Sequence, residues 1–161
     1  MDKIEFYNGD LIRDSTVDVI CHQVNCQGVM GKGIAKQIHA AYPRVYHYYH
    51  QTCSDAFKSN VSPLGSCQLV YTDDTKSRIV ANLFGQYYYG TNRRQTDYNA
   101  LRNALHILCN NRFLRKHSYT LGFPYLIGCA LGGGDWNIVL PMIEEELSDY
   151  PGTVEVWKLG K

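Results

Sequence analysis

Val17-Asp18-Val19-Ile20-Cys21-His22-Gln23-Val24-Asn25-Cys26-Gln27-Gly28-Val29-Met30-Gly31-Lys32-Gly33-Ile34-Ala35 runs from a mostly apolar, β-branched segment through three closely spaced glycines into a helical pattern. The first part, Val17 to Val24, reads as a strand covered on both faces. After Gly33, Ile34, Ile38 and Ala41 fall on one stripe, and Pro43 opens a second helical segment through about Cys53. Between strand and helix, Gly28, Gly31 and Gly33 let peptide N–H groups approach an anion, and the helix start adds partial positive charge. The segment is not a P-loop, because Lys32 is followed by Gly33 rather than Ser or Thr. Nor does it have the third glycine of a dinucleotide fingerprint, since position 36 is lysine. A phosphate cradle and a plain glycine turn are the two readings it leaves.

The same alternation extends both ways along the chain. Ile4 to Tyr7 is a first strand, and Ser66 to Tyr71 with Arg78 to Leu83 form a hairpin across Thr72-Asp73-Asp74-Thr75. Leu101, Ala104, Leu105 and Leu108 share one face of a helix from Asp97 to Cys109, capped by Thr96 or Asp97. Thr120 to Leu126 is a strand containing Pro124, Val139, Met142, Ile143 and Leu147 mark a last helix, and Thr153 to Leu159 is a closing strand. Strands alternating with helices predict an α/β fold with helices on both faces of a mixed sheet, in one domain over residues 1–161.

The chain has 161 residues, 45% of them hydrophobic and 19% charged, which excludes a disordered or fibrous protein. Its formal charge of +1 offers no surplus for non-specific binding to nucleic acid or anionic lipid, so neither is an expected partner. No apolar stretch approaches the roughly 18 to 20 residues of a membrane span, and no apolar leader segment follows Met1; a cytoplasmic monomer is expected. The six cysteines form no CxxC pair and sit mostly in apolar runs, which points to buried free thiols rather than to disulfides or a metal site. Thirteen tyrosines are the compositional excess, with Tyr87, Tyr88 and Tyr89 leading into Gly90 to Arg94 in a loop suited to specificity.

Gly128-Cys129-Ala130-Leu131-Gly132-Gly133-Gly134-Asp135 repeats the strand, glycine loop, helix pattern. Three consecutive glycines carry a conformational cost that is easiest to understand where main chain wraps a ligand. Two such loops facing one crevice would hold a diphosphate by peptide amides without net positive charge. Asp135 reads as a helix N-cap, and a cap can also aim its carboxylate into the crevice. His22 reads either as a satisfied core histidine or as an acid or base beside Asn25, and Asp10 in Gly9-Asp10-Leu11 as a turn residue or an acceptor for an exocyclic amine.

In this order, Gly9-Asp10-Leu11, the stretch 24–35, Tyr42-Pro43 and the stretch 124–136 resemble the macrodomain family, whose members bind ADP-ribose in a three-layer α/β/α fold around a central mixed, largely parallel sheet. The resemblance covers the whole chain and is strongest to a branch that contains ADP-ribose glycohydrolases and ADP-ribose 1″-phosphate phosphatases. It implies that Asp10 meets the adenine amine beside the Leu11 backbone, with Trp157 or Leu159 packing nearby. It also implies that Asn25 meets the distal ribose, that amides of Gly31, Lys32, Gly33, Ile34 and Ala35 hold phosphate and ribose, and that Gly128, Cys129, Ala130, Leu131, Gly132 and Gly133 wrap the diphosphate. The expected activity is hydrolysis of a 1″ substituent by a set of Asp135, His22 and Asn25, with Gln86 nearby, no metal and no cofactor; the alternative is a module that binds ADP-ribose without turnover. The lysine and aspartate that carry catalysis in part of the branch are absent, because the matching regions read Asn82 to Gln86 and Gly132.

Overall fold

The computed structural model describes residues 4–160, so the outermost positions of the expected domain, 1–3 and 161, lie outside the described residues. In chain order the elements are β1 (Ile4–Asn8), β2 (Val19–Gln23), α1 (Gly33–Ala41), α2 (Pro43–Ser59), β3 (Cys67–Tyr71), β4 (Ile79–Leu83), α3 (Tyr98–Cys109), α4 (Arg112–His117), β5 (Leu121–Pro124), α5 (Trp136–Glu146) and β6 (Val154–Lys158). One six-stranded sheet has the order β1-β6-β5-β2-β4-β3. All neighbours are parallel except β3, which returns antiparallel to β4 through the expected hairpin.

Strand alternation divides the core into two layers of side chains. Val19 and Cys21 of β2 with Ile79, Ala81 and Leu83 of β4 face α3, α4 and α5, whereas Ile20 and Val80 face Ile38 of α1 and Val45, Tyr49 and Cys53 of α2. The result is the three-layer α/β/α arrangement with a mixed, mostly parallel sheet. Leu101, Leu105 and Leu108 are fully buried on the inner face of α3, each contributing about 1.5–3 kcal/mol of apolar burial. Asp97 caps that helix by accepting from the Ala100 N–H at 3.0 Å.

Strand ends shift by a residue or two, β2 being Val19–Gln23 rather than Val17 to Val24, and three further differences have a physical reason. The helix begun by Pro43 continues past Cys53 to Ser59, where Asn60 at φ 58° closes it in the left-handed region. Arg112–His117 forms a short helix, too short for periodicity to reveal, capped by the Asn111 side chain. The strand after Thr120 ends at Pro124 rather than Leu126, because the chain turns there and Leu126 itself takes φ 64°.

β2 lies between β4 and β5, and the chain leaves it toward β3 and β4 over one face and reaches β5 over the other. The carboxyl end of β2 is therefore a switch point of the sheet, where a crevice opens between diverging loops. Residues 24–33, 84–97 and 125–135 converge there.

Candidate functional site

A cleft of about 430 Å³ occupies that switch point. On one wall, Lys32 takes the N-cap position of α1 with an extended backbone and no side-chain hydrogen bond to the first turn. The N–H groups at the start of α1 therefore lack a side-chain cap, and Gly31, Lys32, Gly33, Ile34 and Ala35 line the cleft. An uncapped helix start holding several peptide N–H groups is a site for phosphate oxygens. On the other wall lie Gly128, Ala130, Leu131 and Gly132. A Cβ on Gly33 would lie 3.3 Å from Leu131 Cδ1, so the two loops touch across the cleft.

Asn25 shapes the first loop. Its Oδ1 accepts from the N–H of Gln27 at 2.9 Å and of Val29 at 3.4 Å, and its Nδ2 donates to the Val29 carbonyl at 2.9 Å. Tyr49, on α2, brings its hydroxyl within 2.8 Å of the Asn25 carbonyl and 2.7 Å of Oδ1. Burial pushes the Tyr49 phenol upward, so it stays protonated and donates to this pair. Asn25 is thus held from behind while lining the cleft.

Of the expected site residues, Asn25, the five at 31–35, Gly128, Ala130, Leu131 and Gly132 line the cleft, and the others stand outside it. His22 points to the α1 and α2 side of the sheet, fully buried, with Nε2 2.6 Å from Asn82 Oδ1 and Nδ1 without a partner. Burial pushes its pKa down to about 4, which favours the neutral imidazole at neutral pH. Asp135 is exposed and caps α5 by accepting from the Asn137 N–H at 2.9 Å. Asp10 accepts through Oδ1 from Ile12 and Arg13 N–H groups at 2.9 and 3.0 Å, and Leu11 is packed into the core at 5% exposure. Cys129 and Gly133 belong to the second loop but face away, Gly133 packing on Arg94 and the Cys129 thiol pushed up to about 11 by burial.

Gln86, expected nearby, does line the cleft, and two residues absent from the expected site, Gln23 and Thr96, join it at the distal end. Gln23, at the end of β2, donates through Nε2 to Gln86 Oε1 at 2.7 Å and to Thr96 Oγ1 at 2.9 Å. Thr96 Oγ1 donates in turn to the Gly128 carbonyl at 2.5 Å. Their signal in the sequence was only that of polar residues directly following or preceding buried elements. The tyrosine-rich loop is a partition: Tyr89, Gly90 and Thr91 line the cleft, while Tyr87, Tyr88, Arg93 and Arg94 line a second cavity of about 550 Å³ behind it.

The Macro domain family model matches residues 21–143, which include both glycine loops and the switch point. The chain belongs to the Macro domain family. A Thermus aquaticus protein named DNA ADP-ribosyl glycohydrolase is 29% identical to this macrodomain over 96% of its length, although the chain covers only 40% of that relative. A Saccharomyces cerevisiae protein named ADP-ribose 1″-phosphate phosphatase is 26% identical, with 94% of this chain and 88% of the yeast protein covered. Among solved structures, the macrodomain of Mycobacterium tuberculosis DarG superposes with a TM-score of 0.79 at 25% identity, covering 98% of both chains. In this macrodomain the place for a side chain at 132 is closed, since a Cβ there would lie 2.4 Å from Thr96 Oγ1 and 2.8 Å from the Gly128 carbonyl.

Proposed function

We propose that this macrodomain binds ADP-ribose along the cleft and hydrolyses a substituent at the 1″ position, with ADP-ribose 1″-phosphate the first substrate to test. The observation that carries the binding half is the pair of facing peptide walls, 31–35 and 128–132, with a helix start left uncapped by any side chain. Such walls hold a diphosphate without net charge, which suits a chain of formal charge +1. The hydrolytic half is supported by the two relatives named as hydrolases of ADP-ribose derivatives, one of them matched over most of its own length. Asn25 is the member of the expected catalytic set that reaches the cleft, where it fixes the distal ribose; His22 and Asp135 act from behind it, one bracing β2 and the other ordering the start of α5. Rate then comes mainly from orientation of the ribose and the attacking water.

In this reading the chain works as one cytoplasmic, monomeric domain with no nucleic-acid or membrane partner. Among the described residues no helix is long and apolar enough to cross a membrane. A second reading, recognition without turnover, is favoured by one observation: the residues lining the cleft include no carboxylate, imidazole or thiol. Phosphorus NMR of ADP-ribose 1″-phosphate with stoichiometric protein separates the two. Shifted diphosphate resonances followed by growth of inorganic phosphate support hydrolysis, and shifts without phosphate release support the reader. No shift at all removes ADP-ribose from the cleft. Unaltered turnover in both His22→Ala and Asp135→Ala would take those two residues out of the reaction.

A further inference from the structure

Four glycines from two separate segments crowd one place at the distal end of the cleft. A Cβ on Gly85 would lie 2.3 Å from Gln23 Oε1, one on Gly128 3.0 Å from the same atom, and one on Gly132 2.4 Å from Thr96 Oγ1 and 3.1 Å from Gln23 Nε2. A Cβ on Gly134 would lie 2.7 Å from the Gly128 carbonyl, which Thr96 also contacts. A glutamine amide and a threonine hydroxyl thus occupy the volume that side chains at 85, 128 and 132 would need. Only Gly128 of these four has a positive φ, so conformational freedom does not account for the other three. Close packing does.

The amide has one orientation. Thr96 Oγ1 gives its proton to the Gly128 carbonyl and so must accept from Gln23 Nε2, while Gln86 gives an Nε2 proton to the Tyr88 carbonyl at 2.8 Å and presents Oε1 to the same Gln23 Nε2. Reversing Gln23 would set oxygen against oxygen at Gln86 and leave Thr96 without its donor. Main-chain bonds follow the same lines: the N–H groups of Gln95 and Thr96 donate to the Gly132 carbonyl at 2.8 and 3.1 Å, and that of Asp97 donates to the Gly85 carbonyl at 2.7 Å. Gln86 and Thr96 close the tyrosine-rich loop by an isolated antiparallel bridge.

We propose that Gln23 is the positioning residue of the distal end: through Gln86 and Thr96 it fixes the loop carrying Tyr89, Gly90 and Thr91 against the 128–132 wall, so that both move as one unit around the terminal ribose. The ligand part of this inference rests on ADP-ribose occupying the cleft, and the mechanical part does not. Gln23→Met keeps length and bulk while removing both hydrogen bonds; Thr96→Val removes the hydroxyl at constant shape and is the second variant should the first not fold.

The test pairs two measurements. Amide hydrogen exchange without ligand is expected to quicken at least tenfold at Gln95, Thr96 and Asp97 in Gln23→Met, with the α1 and α2 amides unchanged. Calorimetric titration is expected to show ADP-ribose binding weakened about tenfold or more while ADP, which has no distal ribose, changes less than twofold. Equal losses for the two ligands, or exchange indistinguishable from the native protein in a folded variant, would overturn the assignment of Gln23. If the native protein binds neither ligand, the ADP-ribose reading fails, and the exchange result still decides whether Gln23 ties the loops together.

Discussion

Acidification isolates the contribution of one side chain. His22 is fully buried, its Nε2 proton is directed at Asn82 Oδ1, and burial lowers its pKa from 6.5 to about 4. Between these values the unfolded chain takes a proton on this imidazole and the folded chain does not, so folding loses free energy as pH falls from 6.5 toward 4 and regains it as pH rises. At about 1.4 kcal/mol per pH unit the loss approaches 3 kcal/mol near pH 4, an order-of-magnitude figure large against typical domain stability. His22→Gln is the matching perturbation, because the glutamine Nε2 reaches the same acceptor and does not titrate. Urea unfolding of both proteins at pH 7, 6, 5 and 4.5 yields stability curves whose difference, after subtracting the offset at pH 7, reports His22 alone. The other five histidines and the carboxylates Asp14, Asp73 and Asp149, whose pKa values are lowered by their hydrogen bonds or ion pairs, are common to both proteins. Between pH 7 and pH 4.5 the native protein is expected to lose about 2 kcal/mol or more of stability beyond what the variant loses. Parallel curves would refute the sealed, neutral histidine and return His22 to the set of groups able to exchange protons with solvent.

Three further outcomes are expected. Gly132→Ala forces a methyl group against Thr96 Oγ1 and the Gly128 carbonyl; an overpacking cost of about 1–3 kcal/mol should lower the melting temperature by several degrees and weaken ADP-ribose binding, both read in one thermal-shift titration. Asp135→Ala removes the α5 cap and costs about 1 kcal/mol of stability, whereas Asp135→Asn retains a capping oxygen; turnover that survives in the asparagine variant would mean that Asp135 acts only as a cap. Tyr49→Phe takes away the buried donor facing the Asn25 carbonyl and Oδ1, at a cost of about 1–3 kcal/mol, and amide exchange at Gln27 and Val29 should quicken.

The legible parts of this fold are those in which one residue type answers one physical demand. Val19 to Cys21 read as a strand buried on both faces because nothing else suits such a run, and they are fully buried. Leu101, Ala104, Leu105 and Leu108 read as one helical face and line the core together. Arg112–His117 has under two turns, so it left no periodic signal, and Pro124 stood within an apolar run that concealed the end of β5. Asp135 and His22 were each ambiguous for one reason: a carboxylate next to a helix start or an imidazole on a strand fits a structural and a chemical role equally well. Their hydrogen-bond partners in the fold are Asn137 N–H and Asn82 Oδ1, and neither pairing is written in sequence spacing.

The same distinction explains why the cleft is announced by glycines while the side chains that shape it went unnoticed. A wall made of peptide N–H groups favours residues without a Cβ, so Gly31, Gly33, Gly128 and Gly132 stand out in the sequence, and at Gly128 and Gly132 a Cβ would meet Gln23 or Thr96 at 3.0 Å or less. The groups that intruding atoms would strike are far away in the chain: Gln23 precedes Gly132 by more than one hundred positions, and Thr96 lies between them on another loop. Gly128 and Gly132 are thus each one half of a contact whose other half is an ordinary polar side chain, Gln23 or Thr96. It follows that the partners of a glycine-rich loop carry as much of its geometry as the loop does. In this macrodomain a charge brought to position 132 would have to displace Thr96 before it reached a substrate, so changes at the site are constrained in pairs, 132 with 96 and 85 with 23.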